Sequence, residues 1–157
     1  MMQSCPYPVA DLLPHKPPMV LLDAVLGWED GKLDARVDIH VGSRFYEPDF
    51  GVPAHVGIEY MAQACGAYAG LEAKTCGQPV RLGFLLGTRR FHSKVTHFRS
   101  GERLLVTISQ VLRESSMGVF DCRIIKDEDE IAMARLNVYQ PEDVSSVLAG
   151  GTENTKA

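Results

Sequence analysis

Residues 53–73 read PAHVGIEYMAQACGAYAGLEA, and this stretch decides the fold. Proline opens it, and proline is tolerated in the first turn of a helix because its missing N–H has no intrahelical partner there. No further proline follows until Gly77-Gln78-Pro79, which ends the segment. Val56, Ile58, Tyr60, Met61, Ala62, Ala64, Cys65, Ala67, Tyr68, Ala69 and Leu71 leave hardly any polar face. The pattern predicts a helix over about 54–73, buried nearly all round. Gly57, Gly66 and Gly70 lower helix propensity and let neighbouring backbone come close.

The flanks read as β-structure. A short apolar run at 9–13 ends at Pro14, and Pro17 and Pro18 keep the chain extended. A strand is predicted over 19–28. The Asp30-Gly31 pair signals a hairpin into 33–39, where Leu33, Ala35, Val37 and Ile39 alternate with Asp34, Arg36 and Asp38. Residues 41–52 form a loop punctuated by glycine and proline. Further strands are predicted over 82–94, 103–112, 117–125 and 130–140, and the pattern fades from Pro141. One helix among about six strands in hairpin order predicts an α+β fold, a curved antiparallel sheet wrapped around the helix. A single domain over 1–147 with a flexible tail at 148–157 accounts for the chain. A sheet with a free edge usually pairs with another, so a dimer is expected.

Composition narrows the function classes. The 157 residues are 45% hydrophobic and 23% charged, as in one ordinary globular domain. Sixteen Lys and Arg against twenty Asp and Glu give a net charge of −4, which argues against general nucleic-acid binding. No apolar run reaches the roughly 18 residues of a membrane-spanning helix. Residues 1–8 lack the basic and apolar regions of a secretory signal. The four cysteines, at 5, 65, 76 and 122, form no CxxC pair and have no histidine at zinc-finger spacing. Reduced thiols, no metal and a cytoplasmic location are expected.

Within the apolar helix His55, Glu59 and Gln63 can hydrogen-bond strongly, and their i, i+4, i+8 spacing predicts one stripe. A carboxylate on such a helix needs a partner, or burial drives it toward the protonated form. A neutral imidazole near a protonated acid suits removal and return of a proton. From pattern alone Glu59 reads equally well as a structural residue paired with an arginine, and His55 as a helix-capping or solvated residue. Residues 81–103 carry Arg81, Arg89, Arg90, Lys94, Arg99 and Arg103 against the single acid Glu102, a local charge of about +5. That is either a solvated strand face or a docking surface for an acidic or phosphate-bearing partner.

Several motifs resemble those of a known family. Residues 12–23, LLPHKPPMVLLD, resemble the "LPHRYPFLLVDR" stretch of β-hydroxyacyl acyl-carrier-protein dehydratases. Pro53 with 57–64, GIEYMAQA, resembles the "PGVLIIEAMAQA" opening of their central helix. Gly87, Arg90-Phe91 and Gly101-Glu102 resemble their later "G…RF…PGD" segment. The match covers residues 8–140 in the family's order and implies the hotdog fold, in which a sheet wraps a central helix and two subunits pair. Residues 56–63 and 136–141 resemble more closely the dehydratase-like proteins of aryl polyene biosynthesis. The resemblance implies dehydration of a β-hydroxyacyl thioester to the enoyl thioester. The substrate would ride on the phosphopantetheine of an acyl carrier protein, with no metal or redox cofactor.

One departure matters. The family's catalytic histidine lies in a "GHFPG" loop, fourteen residues before the helix glutamate. Here the loop reads FYEPDFGVP over 45–53, shorter than the family's, with Asp49-Phe50 where His-Phe would stand and Phe45 fourteen before Glu59. By resemblance Glu59 is the acid, and the base falls to one of three sources. His55 supplies it, or Asp49 does, or a His-bearing hotdog partner does so across a heterodimer interface. A homodimer and a heterodimer both remain open. Backbone N–H groups near Ala54 and Gly57 would hold the thioester carbonyl, with Gln63 beside them. Arg89, Arg90 and Lys94 would dock the carrier protein. His15 and His40 are read as structural. Two alternatives stand beside this reading, a hotdog acyl thioesterase and a non-catalytic subunit that binds acyl chains or supports a catalytic partner.

Overall fold

A computed structural model describes residues 1–80 and 83–140; the predicted domain end and tail, at 147 and 148–157, lie outside the described residues. Strand β1 (Ala24–Glu29) turns at Asp30-Gly31 into β2 (Lys32–Asp38). Gly31 takes φ +78°, the left-handed region where a side chain is disfavoured. Its N–H donates to the Tyr68 hydroxyl at 2.8 Å, which fastens this hairpin to the helix. A short β3 (Val52–Pro53) leads through a 3-10 turn at Ala54–Val56 into helix α1 (Gly57–Thr75). Then come β4 (Phe84–Ser93), β5 (His97–Phe98), β6 (Arg103–Glu114), β7 (Met117–Lys126) and β8 (Asp129–Tyr139).

Six of these strands form one sheet in the order β1-β2-β6-β7-β8-β4, with every pairing antiparallel, while β3 and β5 make a separate two-stranded ribbon. Period-2 alternation selects the inner face. Leu33, Ala35 and Val37 of β2, Leu104, Val106 and Ile108 of β6, Phe120, Cys122 and Ile124 of β7, and Ala134 and Leu136 of β8 are all buried. They enclose Tyr60, Met61, Ala64, Cys65, Ala67, Tyr68 and Leu71 of α1. This is the predicted sheet wrapped around one helix. Truncating an enclosed side chain such as Leu71 to alanine is expected to cost about 2–5 kcal/mol. The buried thiols of Cys65 and Cys122 lie 3.9 Å apart at the helix–sheet seam, and burial pushes the Cys65 thiol well up.

Two departures from the sequence prediction shape the site. The first predicted strand, 19–28, begins only at Ala24. Met19 and Leu21 are tied to Gln63 of α1 instead, and only Asp23 reaches strand β2, through the Arg36 carbonyl. At Gly70 the helix meets this segment so closely that a Cβ would fall 2.1 Å from the Leu12 carbonyl oxygen. Secondly, the helix begins at Gly57, and His55 belongs to the preceding 3-10 turn. Such a turn advances three residues rather than 3.6, so His55 falls out of step with α1.

Candidate functional site

The enclosure of α1 is incomplete along one stripe. Glu59, Ala62, Gln63, Gly66, Ala69 and Glu72 follow at i, i+3, i+4 and i+7 spacing and face a cavity of about 260 Å³ between helix and sheet. The small Ala62, Gly66 and Ala69 form its floor, and their lack of bulk is what leaves the space. Pro14 and His15 from the N-terminal segment close one side, and Arg113, Ser115 and Ser116 at the β6–β7 turn close the far end. The helix is therefore not buried all round, as the pattern predicted; the Glu59 side chain keeps 38% of its surface exposed.

Gln63, only 1% exposed, organises the chemical end of this cavity. Its Oε1 accepts from the Leu21 N–H at 2.8 Å, and its Nε2 donates to the Met19 carbonyl at 2.7 Å and to Glu59 Oε1 at 2.9 Å. One amide thus replaces a strand partner for residues 19–21 and fixes the carboxylate. The same segment brings His15 Nε2 to 3.7 Å from Glu59 Oε1. His15 Nδ1 is buried with no hydrogen-bond partner among the described residues. No Lys or Arg among the described residues pairs with Glu59.

The remaining predicted site residues sit elsewhere. His55 is exposed and does not line the cavity, so the predicted three-residue stripe reduces to Glu59 and Gln63. Asp49, with φ +70°, lies on an exposed loop that lines a separate depression with Val41, Tyr46, Phe50 and Arg99. The Ala54 N–H already donates to the Thr96 carbonyl at 2.9 Å, and the Gly57 N–H closes the 3-10 turn onto Ala54 and His55. These two N–H groups are therefore engaged within the fold. Arg89 and Arg90 are exposed on the edge strand β4, Arg90 at φ +56° within a bulge, and Lys94 pairs with Asp129 at 3.0 Å. Arg81 lies outside the described residues. His40 shapes its own loop by accepting from the Gly42 N–H at 3.1 Å. The placement of His15 was missed by periodicity, because a histidine among prolines has no period. Among the described residues no cluster of three His, Cys, Asp or Glu side chains could hold a metal ion.

A six-stranded sheet wrapped around one helix, with an acid from that helix facing the cavity between them, defines a hotdog-fold protein. The chain belongs to the ApeP-like family, described as ApeP dehydratase, whose model matches residues 7–149. The dehydratase heterocomplex ApeI:P from Xenorhabdus doucetiae superposes with a TM-score of 0.85 at 31% identity, covering 91% of this chain and 97% of that one. The 3-hydroxyacyl-acyl-carrier-protein dehydratase FabZ of Proteus mirabilis (strain HI4320) is 41% identical over 66 residues, 39% of this chain. That match spans 44% of the curated relative, less than half its length. A Streptococcus mutans UA159 protein, smu.793, solved bound to acetyl CoA, shares the fold at TM-score 0.63 and 13% identity. Among the described residues no helix is long and apolar enough to cross a membrane.

Proposed function

We propose that this chain dehydrates a β-hydroxyacyl thioester, carried on the phosphopantetheine arm of an acyl carrier protein, to the enoyl thioester. The observation that carries the reading is the Glu59 carboxyl, held by Gln63 at 2.9 Å over a cavity that runs along α1. The acyl chain lies along the small-residue floor, and its C2–C3 bond sits at Glu59. A base takes the C2 proton, the C2–H electrons form the new double bond, and Glu59 protonates the departing C3 hydroxyl, which leaves as water. Arg89 and Arg90 on β4, with Lys94 just beyond its end, form the docking surface for the acidic carrier, and reversing Arg89 and Arg90 to glutamate weakens its binding.

The chain works as one subunit of a hotdog pair. Supporting this are the half-exposed Glu59 and the exposed Leu85 and Leu86 on edge strand β4. The Xenorhabdus relative was solved as a dehydratase heterocomplex, which supports a second, different subunit as the partner. The test is water loss from a β-hydroxyacyl carrier protein, followed by mass spectrometry, with the purified chain alone and mixed with a hotdog partner. Enoyl product that disappears in Glu59→Gln supports the reading. Free thiol released without enoyl product replaces it with thioester hydrolysis. Binding of acyl carrier without turnover in either assembly makes the chain a supporting subunit.

A further inference from the structure

We infer that His15 is the base of this site, so that one chain supplies both members of a His15–Glu59 proton-transfer pair; the inference rests on the dehydratase reading above. Three observations meet at His15. Its Nε2 lies 3.7 Å from Glu59 Oε1, too far for a direct hydrogen bond and close enough for one reacting centre to touch both groups. Both side chains line the same cavity. The other ring nitrogen, Nδ1, is buried without a partner among the described residues, and a buried polar atom left unpaired calls for an explanation, a catalytic role being one.

The placement of His15 is built into the fold. Gln63 bonds the Met19 carbonyl and the Leu21 N–H, and buried Leu12 and Leu13 pack into the core on the other side of the histidine. The imidazole is thus anchored from both directions, with Gln63 also holding Glu59. One side chain sets the spacing of the two.

The chemistry closes on itself. His15 Nε2 takes the C2 proton, and the C2–H electron pair becomes the C2–C3 π bond. The C3–O bond breaks with its electrons on oxygen, and the Glu59 proton converts the departing hydroxyl to water. Turnover leaves an imidazolium facing a carboxylate, so each charge stabilises the other. Return of the proton from His15 to Glu59 restores both groups without an added donor. The family's loop histidine, absent from 45–53, is then not required.

The experiment uses the full chain, in whichever assembly supports wild-type turnover, with a β-hydroxyacyl carrier protein as substrate. In a His15→Gln protein that keeps the wild-type melting temperature, kcat should fall about 10²- to 10⁴-fold with KM little changed. Added imidazole should restore part of the activity of His15→Ala. The inference is overturned if His15→Gln keeps its kcat, if imidazole fails to rescue His15→Ala, or if His55→Ala abolishes turnover while His15→Gln is active. In those cases wild-type turnover that still needs Glu59 leaves the dehydratase reading standing. No enoyl product from the wild type in any assembly overturns both.

Discussion

The two ends of the cavity carry the same residue type in different company. Glu59 and Glu72 lie on one stripe of α1, thirteen residues and therefore about 20 Å apart. Glu72 is bonded by Arg113 at 2.7 Å, a pairing that also pushes the Arg113 guanidinium further up. Glu59 has an uncharged amide at 2.9 Å and an imidazole at 3.7 Å. The arginine pair fastens the helix to β6 and occupies the Glu72 carboxylate. Glu59 has no cationic arginine or lysine partner among the described residues and faces the cavity beside an imidazole. Position on the helix does not distinguish the two glutamates; their neighbours do.

The largest effect should come from removing the exchangeable proton. Glu59→Gln keeps the volume and the bond to Gln63, so the melting temperature should change little while turnover falls by 10² or more. Steady-state enoyl formation checks this, and an active Glu59→Gln would erase the distinction between the two ends. Next in size is Gln63→Ala. It leaves the Met19 carbonyl and the Leu21 N–H without their partner and frees Glu59 at once. A loss of about 1–3 kcal/mol in urea unfolding is expected, together with lower turnover. If stability falls but turnover does not, Gln63 merely fastens the N-terminal segment.

Where side chains alternate with a fixed period, the fold was legible. Leu104, Val106 and Ile108 on β6 and Phe120, Cys122 and Ile124 on β7 announce their inner face, and the structure buries all six. Asp30-Gly31 announces its hairpin. Residues 12–23 have no such period. Their apolar run at 19–22 reads as strand, yet its polar partners are the amide of a glutamine forty-odd residues away. The site was half legible for the same reason. Glu59 and Gln63 stand out as polar residues on an apolar helix. His15 reaches them only through tertiary contacts. The helical stripe drawn through His55 failed because nothing in the sequence marks where the 3-10 turn gives way to α1 at Gly57.

Breaking the far end should have a smaller effect of a different kind. Arg113→Ala removes a pair whose arginine side chain is 56% exposed, so stability should change by no more than about 1 kcal/mol. The cavity end bounded by Arg113, Ser115 and Ser116 opens, however, and substrates with longer acyl chains should gain relative to shorter ones. Competition between carrier proteins loaded with two chain lengths measures this. An unchanged ratio would mean that the acyl chain stops short of Arg113.

The smallest effect concerns a paired carboxylate away from the cavity. Arg135 bonds Asp121 across β7 and β8, at 2.8 Å and 3.2 Å, and holds its carboxyl below the ordinary value of 3.8. A carboxyl whose folded value lies below its unfolded one contributes stability above the unfolded value and loses it as pH falls through the folded one. Asp121→Asn should therefore be slightly less stable than wild type near neutrality, with the two unfolding curves converging below about pH 3.8. Both groups are partly exposed, so salt should shrink the difference. Turnover at neutral pH should be unchanged, since Asp121 faces away from the cavity side of the sheet that buries Phe120 and Cys122. A turnover defect here would show that an arginine-paired carboxylate does take part in the chemistry, and the contrast between Glu59 and Glu72 would lose its basis.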